Sequence, residues 1–124
     1  MKILSTKWFN KWAKKSGLSS TGLTEAINNL ESGLSTADLG HHLFKVRVKK
    51  EHSGKSSGFR TIVVYQQDNK AIFLYGFEKN EKANIDSSEL QYFKKFGNDL
   101  LAMNNKQLEQ FVEQKILFNI EVKK

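Results

Sequence analysis

Alternating hydrophobic and polar positions predict a three-stranded antiparallel sheet in the middle of the chain. The strands run from Leu43 to Val48, from Phe59 to Tyr65 and from Ala71 to Phe77. A polar hairpin turn over residues 67–70 joins the second strand to the third. Because the segment from Ile72 to Tyr75 is polar on neither face, we place the third strand at the centre of the sheet, covered on both sides.

Hydrophobic residues at helical spacing predict a basic helix near the start of the chain. It runs from Lys7 to Lys15, carries Trp8 and Trp12 one turn apart, and ends at Gly17. Two tryptophans at this spacing are typical of a helix face packed on a core. We therefore interpret them as core residues rather than as a platform for nucleic-acid bases.

Capping signals predict the other helices. Ser20 and Thr21 are good N-terminal caps for a second helix, whose end is marked by Gly33. Asp86, with Glu89 three residues on, forms the pattern of a capping box that opens a third helix. A fourth helical run follows around residues 108–112.

The pattern as a whole predicts an α+β fold. Short strands are expected from Lys2 to Ser5 and from Phe118 to Val122, and no internal repeat or linker divides the chain. We therefore expect a single domain over residues 1–124. In it, two N-terminal helices pack on an antiparallel sheet of three to four strands, and C-terminal helices follow.

Composition narrows the classes of function. The chain has 124 residues, enough to enclose a core without disulfides or metals. It has no cysteine, which excludes a thiolate nucleophile and thiolate-bound metals. No signal peptide or segment of transmembrane length is recognisable, so we expect a cytoplasmic protein with no membrane partner. The net charge of +7 favours an anionic partner such as nucleic acid.

Most of the excess positive charge lies in residues 45–60. This segment holds six Lys or Arg and one Glu, and so contributes +5 to the net charge. On an extended strand Lys45, Arg47 and Lys49 share one face, and the Gly/Ser-rich turn that follows brings Arg60 alongside it. Lys and Arg side chains suit phosphate, so we predict a polyanion site. Its members are Lys45, Arg47, Lys49, Lys50, Lys55 and Arg60.

Other chemistries have no support in the sequence. The pair His41-His42 and the separate His52 lack the spacing of metal ligands, and neither a nucleophile elbow nor a phosphate-binding glycine loop occurs. We therefore expect neither a metal nor a cofactor. If the polyanion is RNA, its own 2′-hydroxyl can act as the nucleophile. The protein then supplies only positioning, proton transfer and charge stabilisation.

The order of several short motifs is the most specific signal in the chain. The motifs are Phe9-x-x-Trp12, Ala37-Asp38-Leu39-Gly40, Lys45-x-Arg47, Gly54-Lys55-Ser56-Ser57-Gly58-Phe59-Arg60-Thr61, Tyr75-Gly76-Phe77-x-Lys79-x-Glu81-x-x-Asn84-Ile85 and Glu89-Leu90. Together they resemble the RelE-like toxins of bacterial type II toxin-antitoxin systems, and more narrowly the RelE/HigB-type branch. The resemblance implies a microbial-ribonuclease-like α+β fold and a ribosome-dependent endoribonuclease that cleaves mRNA without a metal. It also implies a cognate antitoxin that keeps the toxin silent.

The resemblance also assigns roles to individual residues. Lys45 and Arg47 match the proton acceptor and the stabiliser of the transition state, and Arg60 matches a phosphate contact. Lys79 and Glu81 match the polar cluster at the end of the central strand, where we assign catalysis to Lys79 and an RNA contact to Glu81. The remaining RNA contacts are assigned to Lys49, Lys50 and Lys55.

Two departures from the RelE prototype leave the proton donor open. Asn80 stands where the prototype has an arginine, and its amide cannot donate a proton at an accessible pKa. The region from Ile85 to Ser87 has no counterpart of the prototype's late catalytic tyrosine. Lys79, Lys55 and His52 are the alternative donors.

Two other functions are compatible with the sequence. A ParE-like relative shares the fold but poisons DNA gyrase without cutting RNA. In such a protein the basic strand face would have no catalytic role. A non-enzymatic nucleic-acid-binding module is consistent with the two departures.

Overall fold

The computed structural model describes residues 1–34, 36–49 and 58–120. In chain order the elements are β1 (Lys2–Thr6), α1 (Lys7–Ser16), α2 (Ser20–Glu31), β2 (Thr36–Gly40), β3 (Leu43–Lys49), β4 (Gly58–Gln66), β5 (Lys70–Glu78), α3 (Ser87–Leu101), α4 (Asn105–Glu113) and β6 (Leu117–Asn119). Within the described ranges, six strands form one sheet in the order β2-β3-β4-β5-β1-β6. The fold is α+β, as the sequence predicts.

The three central strands are arranged as predicted. β3 pairs antiparallel with β4, and β4 pairs antiparallel with β5. β5 lies between β4 and β1, and its hydrophobic side chains are buried on alternate faces. Phe73 packs with α1 and α2, whereas Ile72 and Leu74 pack with α3 and α4. The continuous hydrophobic run in β5 therefore reflects burial on both sides.

The sheet is larger and less regular than predicted. β1 runs parallel to β5, so the expectation of an antiparallel sheet of three to four strands is wrong. Hydrophobic periodicity does not predict β2, because this short edge strand is defined by its pairing with β3 and contains a register shift between Asp38 and Gly40. The C-terminal strand β6 pairs with β1 and begins one residue before the predicted segment 118–122, whose last two residues lie outside the described ranges.

Helices cover both faces of the sheet. α1 and α2 pack on one face, where Phe9 and Ile27 are fully buried, and α3 and α4 pack on the other, where Leu108 is fully buried. None of the described helices is long and apolar enough to cross a membrane. The central strands are therefore held between two hydrophobic layers, which fixes the geometry of any site at their ends.

The helix ends follow the capping signals with one exception. Gly17 ends α1 in the left-handed region with φ of +78°, and Asp86 and Glu89 form the predicted capping box of α3. α2 is capped by Ser19, whose hydroxyl accepts a hydrogen bond from the backbone N–H of Gly22 at 3.1 Å. The predicted caps Ser20 and Thr21 are instead the first two helical residues.

The indole ring of Trp12 lies directly on the backbone of β5 at Gly76. A Cβ atom at Gly76 would overlap three carbons of this ring, so no larger residue leaves room for it. The ring also meets Phe59 edge to face, with centroids 5.5 Å apart and planes at 88°. The Trp12 ring therefore fills the space that the missing side chain of Gly76 leaves.

Trp8 does not pack in the core as predicted. Its side chain is 49% exposed, and its ring stacks on Tyr75 with centroids 4.7 Å apart. Phe9 and Ala13 of the same helix are buried, and Trp12 is partly buried. The hydrophobic face of α1 therefore extends beyond the part of the sheet that it covers.

We expect Gly76→Ala to lower the free energy of unfolding by about 1–3 kcal/mol, because the added methyl group displaces the Trp12 ring. Gly22→Ala is the matched control. A Cβ atom there approaches nothing closer than 3.5 Å, so this variant is expected to be up to about 1 kcal/mol more stable than the original chain. Urea unfolding measures both. Equal stability of the two variants would contradict the packing described for Trp12.

Candidate nucleic-acid interface

Strand pairing arranges the predicted basic residues in rows across one face of the sheet. Arg47 lies directly opposite Arg60, and Arg60 lies directly opposite Phe77. Lys45 occupies the next row along β3, opposite Ile62. Directly paired residues point to the same face of a sheet, so the side chains of Lys45, Arg47 and Arg60 share one face.

A third row lies at the end of β3. Its member on β4 is Gly58, which has no side chain. Lys49 is paired with Gly58, and the backbone N–H of Lys79 donates a hydrogen bond to the carbonyl of Gly58 at 3.4 Å. The side chains of Lys49 and Lys79 are exposed. Gly58 therefore presents no side chain of its own between the two lysine positions.

Two guanidinium groups converge on Gly58. A Cβ atom at Gly58 would lie 3.3 Å from Arg47 Nε and 3.7 Å from both Arg47 Nη2 and Arg60 Nη1. The strand register holds the two cations in directly opposite positions on the same face of the sheet. Each guanidinium offers a planar fork of donors that matches a phosphate. The arrangement over Gly58 suits a phosphodiester, and we call Arg47 and Arg60 the arginine pair.

Lys45 lies in the row next to the arginine pair. It lies two residues from Arg47 on the same face of β3, a separation of about 7 Å between Cα atoms. Its side chain is partly buried between the arginine pair and the residues that α3 covers. Lys45 therefore adds a third cationic position to this face of the sheet.

The turn after β5 is anchored by a lysine that the sequence analysis missed. The Lys82 ammonium donates hydrogen bonds to both carboxylate oxygens of Glu89, at 2.6 and 2.7 Å. It also donates to the Tyr75 hydroxyl at 3.4 Å and lies 5.3 Å from the centre of the Tyr75 ring. These contacts tie the segment that carries Lys79 to both β5 and α3.

Glu89 has two roles in this network. Its carboxylate also accepts a hydrogen bond from the backbone N–H of Asp86 at 3.0 Å, which completes the capping box. The hydrogen bond from Lys82 to Glu89 is the main reason that the pKa of Lys82 is raised above its ordinary value of 10.5. No periodic signal could have identified Lys82, because it pairs across a loop with a residue seven positions away.

Glu81 does not lie with the arginine pair. It lines an open cavity of about 340 Å³ on the other face of the sheet, beside α1. The row that reaches this face is Val48, Phe59 and Glu78. We call the cavity the indole pocket. Its lining residues are Trp12, Lys15, Ser16, Phe59, Glu78 and Glu81.

Several predicted residues lie outside this geometry. Lys50, His52 and Lys55 fall outside the described ranges. His41 and His42 form the turn between β2 and β3, where both have left-handed backbone conformations with φ of +52° and +64°. In the described part of the chain, no group of three or more His, Cys, Asp or Glu side chains could hold a metal ion.

A double-mutant cycle of Lys82→Met and Glu89→Gln measures the coupling between these two residues. We expect a coupling free energy of about 0.3–1 kcal/mol in low salt. Glutamine preserves the capping box, so the cycle isolates the contact with Lys82. Because the folded-state pKa of Lys82 is raised, this stabilisation is complete below pH 10.5 and is lost as the pH rises through the raised pKa. Urea unfolding of the four proteins measures the coupling. Zero coupling at pH 8 would contradict the anchoring role of Lys82.

Comparison with known families agrees with the motifs found in the sequence. The profile of one family, described as "RelE toxin of RelE / RelB toxin-antitoxin system", matches residues 1–120. No curated protein matches the sequence. Because the family match covers all but the last four residues, the chain belongs to the RelE toxin family.

Proposed function

We propose that this protein is a ribosome-dependent mRNA endoribonuclease that inhibits translation, and that its reaction needs no metal. The observation that carries the proposal is the convergence of Arg47 and Arg60 over Gly58, with Lys45 in the neighbouring row of the same face. Family membership supports the toxin function. Cationic groups that face a phosphodiester can stabilise its cleavage by a 2′-hydroxyl, which supports the proposal.

The proposed reaction is transfer of the phosphate to the neighbouring 2′-oxygen. Lys45 accepts the proton of the 2′-hydroxyl as its oxygen attacks phosphorus, and the bond from phosphorus to the 5′-oxygen breaks. Arg47 and Arg60 bind the non-bridging oxygens and offset the charge that develops on them. Lys79 gives a proton to the departing 5′-oxygen. The products are a 2′,3′-cyclic phosphate and a free 5′-hydroxyl.

The proposal also covers the RNA contacts around the cleaved bond and the partners of the protein. Lys49, Lys50 and Lys55 bind the RNA backbone on both sides of the cleaved bond, and the ribosome presents the mRNA. A cognate antitoxin binds the protein and keeps it silent. The protein acts in the cytoplasm as one RelE-like domain over residues 1–124, with no cofactor.

We expect Arg47→Ala and Lys45→Ala each to reduce mRNA cleavage by about 100-fold or more, because each removes a group that stabilises the transition state. Lys106→Ala, an exposed change on α4, is the control that removes a charge elsewhere. The measurement is growth arrest on induction, followed by mapping of mRNA 5′ ends in translated transcripts. Cleavage at the original rate in either variant would refute its assigned role.

The same experiment separates the other functions. Gyrase-linked DNA damage without new mRNA ends would indicate a ParE-like toxin. Growth without either effect would indicate a binding module that does not cleave RNA. New ends that appear only when the transcript is translated support the proposal.

We further expect Arg47→Lys to keep most of the affinity for RNA but to lower the rate of cleavage at least about tenfold. Lysine preserves the charge but replaces a planar fork with a point charge. The affinity is measured with a 2′-O-methyl RNA, which cannot be cleaved. The rate of cleavage is measured separately under single-turnover conditions. A variant that cleaves at the original rate would show that charge alone is sufficient at this position.

A further inference from the structure

The indole pocket has no part in the reaction proposed above. It lies at the C-terminal end of α1 on the face opposite the arginine pair. Its hydrophobic part is made by Trp12 and Phe59, and its polar part by Lys15, Glu78 and Glu81. An open cavity of about 340 Å³ is within the usual size range of pockets for small planar ligands.

The aromatic wall of the pocket is closely packed against the sheet. The Trp12 ring lies on Gly76 and against Phe59, and Phe59 is only 2% exposed. Trp12 itself is partly exposed, so part of its ring is open to a ligand. A partly exposed indole is a surface on which a planar ring can stack.

The carboxylates of the pocket determine which ring is favoured. Glu78 and Glu81 can only accept hydrogen bonds when ionised, and Glu81 is exposed. Guanine presents two adjacent donors, N1–H and the N2 amino group, on its Watson–Crick edge. Adenine, cytosine and uracil each place an acceptor next to their donor, which a carboxylate repels. We propose that the indole pocket binds a guanine base of single-stranded RNA.

The charge around the pocket favours a base over a cationic side chain. An arginine from a protein partner could also stack on Trp12 and pair with a carboxylate. However, α1 has four exposed lysines, and the chain has no acidic residue before Glu25. A neutral base on an anionic backbone is attracted by this surface, whereas a cation is repelled. The exposed lysines of α1 are Lys7, Lys11, Lys14 and Lys15.

The position of the pocket is compatible with one RNA strand that also occupies the arginine pair. Arg60 and Phe59 are adjacent in β4 and point to opposite faces. Both sites therefore lie at the same end of the sheet, and a single strand that passes around this end reaches both within a few nucleotides. This inference rests on the proposed function only in taking RNA as the ligand.

The test uses Trp12 fluorescence in a Trp8→Phe background, which leaves Trp12 as the single tryptophan. The probes are 2′-O-methyl heptanucleotides of uridine with guanosine, adenosine, cytidine or uridine at the centre, which cannot be cleaved. We expect the guanosine oligomer to quench Trp12 and to bind about tenfold more tightly than the others. Equal affinity for all four, or no binding, overturns the proposal.

Substitutions locate the preference and separate it from catalysis. Glu81→Gln together with Glu78→Gln is expected to reduce the preference for guanosine to about twofold or less. Glu113→Gln, an exposed change on α4, removes a carboxylate elsewhere and is expected to leave the preference intact. A preference that survives in the double variant overturns the assignment to this pocket. Quenching by N-acetyl-arginine amide but by no oligomer also overturns it, in favour of a cationic protein partner.

The Arg47→Ala variant distinguishes this inference from the proposed function. It is expected to weaken binding of all four oligomers equally and to keep the guanosine preference, because the arginine pair contacts phosphate rather than bases. If mRNA cleavage is never observed but the preference persists, the proposed function fails and the base pocket stands. If cleavage is observed without any preference, the pocket proposal alone fails.

Discussion

The register between β3 and β4 is the constraint on which the site depends. It places Arg47 directly opposite Arg60, although like charges in such a pair are unfavourable by themselves. The register is fixed from the other side of β3, where Val46 and Val48 are buried on the face that α2 covers. A slip of one residue would turn these valines to solvent and the arginine into the core. The hydrophobic core therefore holds the two cations opposite each other on one face of the sheet.

Glycines complete the geometry on both faces of the sheet end. Gly58 leaves the space over which the arginine pair converges, and Gly76 leaves the space in which Trp12 lies. At both positions the backbone is open because a side chain is missing, so a neighbouring strand or helix can place its own group there. The proposed phosphate site and the indole pocket thus both lie at a glycine, on opposite faces of the same strands.

The central strands could be predicted because their hydrophobic residues alternate or run continuously over a sufficient length. The parallel pairing of β1 with β5 could not, since it depends on contacts between distant segments rather than on local period. The basic face was evident from the alternation of Lys45 and Arg47, but the convergence over Gly58 depends on side-chain directions that a sequence does not contain. Likewise, helical spacing groups Trp8 with Trp12 but does not reveal where the sheet beneath them ends.

The most direct test of this account is to observe the arginine pair bind a phosphodiester. NMR can follow the Nε–H signals of Arg47 and Arg60 and the amide of Gly58 as a 2′-O-methyl dinucleotide, which cannot be cleaved, is added at low salt. The account predicts that the three signals shift together and saturate at the same ligand concentration. Unchanged Nε–H signals of both arginines would contradict it, and so would signals that saturate at different ligand concentrations.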